Sequence, residues 1–504
     1  HRADILGANG NSIIRTPNLD RIAARGTNFA NAYCNCPVCV PGRQSFLTGK
    51  QPSTIDCTHF YESFDSALLT IPGHFAQYGY NTTAFGKMHF QDVDQMHGWL
   101  ERPMGDIHTT IRPPMAEGIE EPGMSNAERA EHGIGFWGPA KEVRNARIIN
   151  EEDSWDYLVT QAACYYLQKY FADSGYDRPR GDQPLLFRLS LNNPHYPFQC
   201  GQERFEYYLN RVKPYYENAP NTHPSYKQYS AAITSDVREP KDVCEREIKR
   251  ATAAYYGQVE FMDAMFGKVV DLLDRLNVLD DFIIIYFSDH GEMLGKHGCW
   301  EKKQFYEGSA RVPLTIYSPG RSHKLKQSDC VVSLLDVFPT LCDLADLPVP
   351  EALEGDSMVP LFDQNDPQWK NEAISELWGK WYHGGKGCFM IRRDNLKYIH
   401  CDSDPAQLYD VIADPWEKVN LVDLTKEIIV SVAVLSILLS ALTRKYRGGF
   451  FLSAVIYGVH RVSYAQYHAR CSQLASALAA AGVEPGQVVA TILPNIPAQA
   501  EAHF

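Results

Sequence analysis

DFIIIYFSDHG, residues 281–291, decides the fold class of this 504-residue chain. Its centre, residues 282–287 (FIIIYF), is a continuous apolar run rich in β-branched and aromatic side chains. A run of this kind, without polar alternation, reads as a buried strand. It leads directly into Ser288-Asp289-His290-Gly291, so the strand presents polar side chains at its C-terminal tip. Upstream, Val259, Met262, Phe266, Val269, Leu273 and Leu276 recur at three- and four-residue spacing, one apolar face of a helix packing on the sheet. A second run, residues 184–191, ends in the same manner at Asn192-Asn193-Pro194-His195. Strands and helices alternate through residue 345, which predicts an α/β domain with functional loops at the carboxyl ends of its strands.

The bulk numbers exclude some partners. The net charge is −13 and no basic run of nucleic-acid type occurs, which argues against a polyanionic partner. Thirteen cysteines are scattered, an odd number, and the single C-x-x-C (Cys36 to Cys39) lacks a second one to complete a zinc site. Disulfides are neither implied nor excluded, and no compartment can be assigned. Residues 347–360 (LPVPEALEGDSMVP) read as a connector. Beyond it, residues 388–398 and 407–411 read as strands of a smaller unit.

Working outward, residues 31–49 (NAYCNCPVCVPGRQSFLTG) carry Cys39-Val40-Pro41-Gly42-Arg43 followed by Leu47-Thr48-Gly49. Alone, C-x-P-x-R reads as a buried thiol on a turn before a helix. It has company, in order along the chain: residues 16–34 (TPNLDRIAARGTNFANAYC), 86–90 (GKMHF), 192–198 (NNPHYPF), 288–298 (SDHGEMLGKHG) and 306–314 (YEGSARVPL). Together these segments resemble the sulfatase family, in which such a cysteine is oxidised to formylglycine (3-oxoalanine). Several stretches look most similar to its choline-sulfatase-like and arylsulfatase members. Gly42 stands where serine is more usual.

The resemblance implies an alkaline-phosphatase-like mixed sheet flanked by helices, with a smaller C-terminal antiparallel subdomain. It implies hydrolysis of a sulfate ester through a formylglycine made from Cys39 by a formylglycine-generating enzyme, with a small sulfated substrate. Arg43 would orient the modified residue, and Lys87 would bind sulfate. His89 would take the proton whose loss releases sulfate, and His195 would contact the leaving oxygen. Lys302 would bind sulfate, with Lys303 as its possible substitute. On an extended backbone, Lys87 and His89 would share one face. Asp289 and His290, with the modified Cys39, would hold one Ca²⁺, a hard cation that takes oxygen ligands. Further metal carboxylates are expected from a strand that sulfatases carry just before the segment matching residues 2–11 (RADILGANGN), so the sequence looks truncated at its start. Rival readings are a phosphonate monoester or phosphodiester hydrolase of the same superfamily, and an inactive binding protein.

The expected organisation is a catalytic domain at 1–345, a small subdomain at 346–425, an apolar linker or membrane segment at 426–459, and a fragment at 460–504 resembling the N-terminal part of an acyl-CoA synthetase. Residues 428–443 contain 16 positions without a charge, short of the ~20 of a membrane span, so a short span and a buried helix both fit. Membrane contact there and a homo-oligomer both stay open. Trp155 and Tyr157 are candidates to cage a quaternary ammonium, against the plainer reading of ordinary packing.

Overall fold

The structure, a computed structural model, describes residues 1–106, 143–171, 183–215, 223, 243–378, 387–401 and 404–424, and the backbone of 453–457 and 460–463. The chain divides into two compact units, one of His1–Ala406 with Asp410–Glu417 and one of Gln407–Tyr409 with Lys418–Phe504. In the second unit, the backbone of Ser453–Tyr457 pairs antiparallel with His460–Ser463. The apolar stretch 428–443 lies outside the described residues. Among those described, no helix is long and apolar enough to cross a membrane.

The first unit is an α/β assembly with the expected mixture of strand directions. β1 (Thr27–Tyr33), β5 (Ile284–Phe287), β6 (Leu314–Tyr317) and β7 (Gln327–Ser333) form one sheet in the order β7-β1-β6-β5. β1 and β7 run parallel, while β6 is antiparallel to both β1 and β5. β2 (Asn81–Gly86), β3 (Glu101–Met104) and β4 (Leu185–Ser190) form an all-parallel sheet in the order β3-β2-β4. Helices α1 (Pro17–Arg25), α2 (Cys39–Thr48), α3 (Trp155–Phe171) and α4 (Glu245–Arg275) pack around them.

Local chemistry explains the helix ends. Pro17 at the first position suits α1, whose missing amide is an orphan there anyway. α4 starts where the Cys244 amide donates to Glu247 Oε2 at 3.0 Å, and it buries Val259, Met262, Val269 and Leu273 of the sequence-read stripe. α2 is buried at every position and stops at Gly49, whose φ of 67° is left-handed.

One expectation fails in an informative way. The runs at 185–189 and 284–287 are only half-buried, because β4 and β5 are edge strands of their sheets among the described residues. Both line a cavity of about 560 Å³ that Phe46, Phe75 and Phe266 also border. A continuous apolar run identifies a strand that seeks cover on both faces, but it carries no information about the partner on its edge.

The C-terminal strands β8 (Glu372–Leu377), β9 (Cys388–Arg393) and β10 (Leu396–Cys401) form an antiparallel sheet in that order. Lys397 of β10 is fully buried, and its Nζ donates to Phe305 O at 2.9 Å, to Glu307 Oε1 at 3.0 Å and to Glu417. It thereby anchors the segment that follows Lys302. Replacing Lys397 by Met leaves two buried carboxylates short of a cation, so a loss of roughly 3–5 kcal/mol in unfolding free energy is expected, to be read by denaturant titration.

Candidate active site

Four strand and helix ends converge on one thiol. Cys39 opens α2, 1% exposed, where the positive end of the helix dipole favours an anion. Its Sγ lies 3.0 Å from His290 Nε2 and 3.8 Å from Lys87 Nζ. Burial by itself would raise the thiol's pKa, but Lys87, then Lys302 and His290, outweigh it and hold Cys39 well below its ordinary value. Cys34, Cys36 and Cys57, buried without such cations, go the other way, with Cys34 and Cys57 above the usual thiol range.

Arg43, one turn along α2, ties the strand tips together. Its Nε donates to Asp289 Oδ2 at 2.7 Å, just past β5. Its Nη1 donates to Lys87 O at 2.6 Å past β2 and to Ser190 Oγ at 2.9 Å in β4. Burial would raise the Asp289 carboxyl, but Arg43, followed by His290, holds it far below the usual carboxylate range. Lys87 and His89 both have their pKa lowered by burial, and for His89 the Lys87 charge adds to the effect.

Lys87 and His89 both serve the thiol, though not on an extended backbone. β2 ends at Gly86, and His89 has a φ of 59°. The buried Asp106 carboxylate accepts the amides of Met88 and His89 (the latter at 3.0 Å) and so stabilises this turn. A strand-period argument cannot foresee a left-handed residue that a distant carboxylate holds.

His195 lies on the loop after β4. Its Nδ1 is 2.8 Å from Tyr196 O, an atom that can only accept, so Nδ1 carries the proton. Nε2 therefore offers a lone pair to Lys302 Nζ at 2.5 Å. Burial, then Lys302 and Lys87, push the imidazole well below its ordinary pKa, so it is neutral near pH 7. Lys302 Nζ also lies 3.2 Å from Tyr196 Oη and 4.2 Å from the centre of that ring. Lys303 is turned to Glu301 at 3.0 Å, so geometry separates the two adjacent lysines. His290 repeats the pattern of His195: Nδ1 faces Gly291 O at 2.8 Å and Nε2 faces Cys39.

Cys39, His195 and His290 form a cluster whose ligand atoms all lie within 4.8 Å of one another. This nitrogen and sulfur set does not suit Ca²⁺, which takes six to eight oxygens. Asp289 is engaged with Arg43, and the hydroxyls of a modified residue 39 would add only two oxygens.

Three helpers were not legible as such. Asp156 of α3 accepts the amides of Asn192 and Asn193 at 2.8 and 2.7 Å. Gln258 of α4 donates to the carbonyls of His195 and Pro197, each at 3.1 Å. Asp106 is the third. Tyr157 already has Lys268 Nζ 4.5 Å above its ring, and Trp155 packs beside Phe85 and Val159.

Gly42 has a steric reason. A Cβ placed there would meet Cys36 O at 2.5 Å, so the turn before α2 is closed too tightly for a side chain. Gly42→Ser is expected to lower stability by about 1–3 kcal/mol through forced backbone movement, measurable as a drop in thermal midpoint.

The sequence family described as sulfatase matches residues 1–347, that described as N-sulphoglucosamine sulphohydrolase, C-terminal, matches 295–442, and that described as AMP-binding enzyme matches 452–504. The choline-sulfatase of Rhizobium meliloti (strain 1021) is 31% identical over 418 residues, covering 81% of this chain and 78% of the relative. The arylsulfatase of Clostridium perfringens (strain 13 / Type A) is 28% identical over 440 residues, 84% of this chain and 88% of its own. Among solved structures, the phosphonate monoester hydrolase of Agrobacterium radiobacter superposes with a TM-score of 0.68 at 22% identity, over 88% of this chain and 93% of its own, a likeness of fold.

Proposed function

The chain belongs to the sulfatase family, the sulfuric ester hydrolases, and on that premise we propose that it cleaves the sulfate ester of a small alcohol with residue 39 as the nucleophile. The observation that carries this reading is the buried Cys39 at a helix start, with His290 Nε2 at 3.0 Å and Lys87 Nζ at 3.8 Å. Oxidised to formylglycine and hydrated, residue 39 would offer two hydroxyls on one carbon, one to attack sulfur and one whose deprotonation later frees sulfate.

The surrounding residues divide the remaining work. His290, whose Nδ1 donates to Gly291 O, turns Nε2 toward residue 39, where, with a hydroxyl in place of the thiol, it would accept a proton during attack. Lys87 faces the transferring sulfuryl group and balances the charge spread over its oxygens. Arg43 holds the tips of β2, β4 and β5 in register around residue 39. At the leaving oxygen the donor is Lys302, since neutral His195 has its only proton on Nδ1 and accepts from Lys302 through Nε2. His89 takes the proton of the second hydroxyl as sulfate departs. Asp289 and a hydrated residue 39 supply the oxygens that the described residues offer here, fewer than the six to eight calcium takes, so no step is routed through a metal.

The test begins with the full chain co-expressed with a formylglycine-generating enzyme. The tryptic peptide 26–43 should be lighter by the exchange of thiol for aldehyde. The modified chain should then release sulfate from 4-nitrophenyl sulfate or from choline sulfate, the latter suggested by the name of its relative. If the modified chain hydrolyses a phosphonate monoester faster than any sulfate ester, the superfamily's other chemistry replaces this reading. If it turns over neither, the reading fails.

A further inference from the structure

The turn that carries His195 is held from both sides by side chains that touch no reacting atom. From α3, Asp156 (3% exposed) takes its amide protons: Oδ1 accepts from Asn192 N at 2.8 Å, and Oδ2 from Asn193 N at 2.7 Å. From α4, Gln258 (2% exposed) reaches its carbonyls, with Nε2 3.1 Å from both His195 O and Pro197 O. Asn193 joins the two. Its Nδ2 donates to Asp156 Oδ2 at 2.7 Å, and its Oδ1 accepts from Gln258 Nε2 at 2.8 Å. We propose that Asp156, Asn193 and Gln258 form a positioning relay that fixes His195, and through it Lys302, for proton delivery to the leaving group.

The physical argument is one of degrees of freedom. The His195 tautomer is set by two contacts, Nδ1 to Tyr196 O and Nε2 to the Lys302 ammonium, which can only donate, and both depend on where this turn sits. If the turn shifts, Nδ1 loses its acceptor, the proton can move to Nε2, and the lone pair facing Lys302 is lost. Lys302 is then no longer held at hydrogen-bond distance, and proton transfer depends steeply on that geometry. A buried carboxylate on one helix and a buried amide on another, bridged by a third side chain, pin the turn at both its donors and its acceptors. The His89 turn is held by a separate set, Asp106 at the amides of Met88 and His89 and Gln44 Nε2 at the His89 carbonyl, 3.1 Å away, so Asp156, Asn193 and Gln258 act on the leaving-group side of the site.

This inference rests on the proposed function for its chemistry but not for its test. Asn193→Ala and Gln258→Met are made separately in the full chain, so that failure of one to fold leaves the other. The first readout is ¹⁵N-histidine NMR, with the His195 signals identified by their loss in His195→Gln. Wild type should show the Nδ1–H tautomer, and each folded variant a mixture or the Nε2–H form. The second readout is turnover of an alkyl and an aryl sulfate by the formylglycine-bearing chain. kcat should fall about tenfold to a hundredfold for the alkyl ester, whose leaving group needs its proton, with little change in KM. The aryl ester should lose less than about threefold, since its leaving group departs without help. An unchanged His195 tautomer in a folded variant overturns the relay, whatever the rates do. So does an equal loss on both esters. A shifted tautomer in a chain that hydrolyses no sulfate ester keeps the relay and removes the proposed function instead.

Discussion

Cys39→Ala is expected to lower kcat/KM on an aryl sulfate by at least about 10⁴-fold, the scale on which loss of an enzyme's nucleophile registers. The argument is stoichiometric as well as energetic. Among the described residues no other thiol shares these cations, since Cys34 and Cys36, although nearby in the chain, have their pKa raised by burial rather than lowered by Lys87 and Lys302. Cys39→Ser should be equally inactive, because one hydroxyl can attack sulfur but no second one is present to expel sulfate. The same replacement makes a stability prediction for the unmodified chain. The folded state depresses the Cys39 thiol, so its ionisation contributes stability that is fully present above the ordinary thiol pKa and is lost as pH falls through the folded value. The thermal-midpoint gap between wild type and Cys39→Ala should therefore narrow as pH is lowered. A gap that widens on acidification would contradict the assigned charge state.

Lys302→Ala carries the second-largest expected effect, a loss of roughly 10²–10³-fold in kcat, the cost typical of removing one donor aimed at developing charge. Here the dependence on the leaving group matters more than the size of the loss. Lys302 Nζ lies 2.5 Å from His195 Nε2, and the imidazole has no proton on that atom to give. On the proposed mechanism, removing the lysine removes the acid itself. The slope of log kcat against the leaving alcohol's pKa should steepen for Lys302→Ala, with alkyl sulfates suffering most. His195→Ala should steepen it less, because Lys302 keeps its proton and loses only an orienting partner. If His195→Ala gave the steeper slope, the roles of the two residues would be exchanged.

Much of this site was legible in residue order. Cys39 and Arg43 sit four apart, which on a helix places them on one face, and both line the site from α2. Residues 184–191 and 282–287 announced strands, and Asp289, His290 and His195 sit just past their ends. Spacing to Phe305, Tyr306 and Glu307 favours Lys302 over Lys303 in the sequence, but it does not show where either side chain points, since adjacent residues in a loop go wherever the backbone sends them. The left-handed φ of Lys303 and its pairing with Glu301 decide that pair.

What the sequence determined alone is the set of chemical groups and the strand and helix ends that present them, because hydrophobic periodicity and short motifs are local. Tertiary structure alone decided how those groups are charged and aimed. Arg43 meets Asp289 across 246 positions, and Asp156 meets Asn192 across 36. A carboxylate that accepts backbone amides from another element leaves no local mark, since every residue but proline offers the same amide. The depressed thiol of Cys39, the pairing of His195 with Lys302 and the left-handed turn at His89 all depend on contacts between residues far apart in the chain. They exist only once the sheets have brought distant strand tips within hydrogen-bond reach.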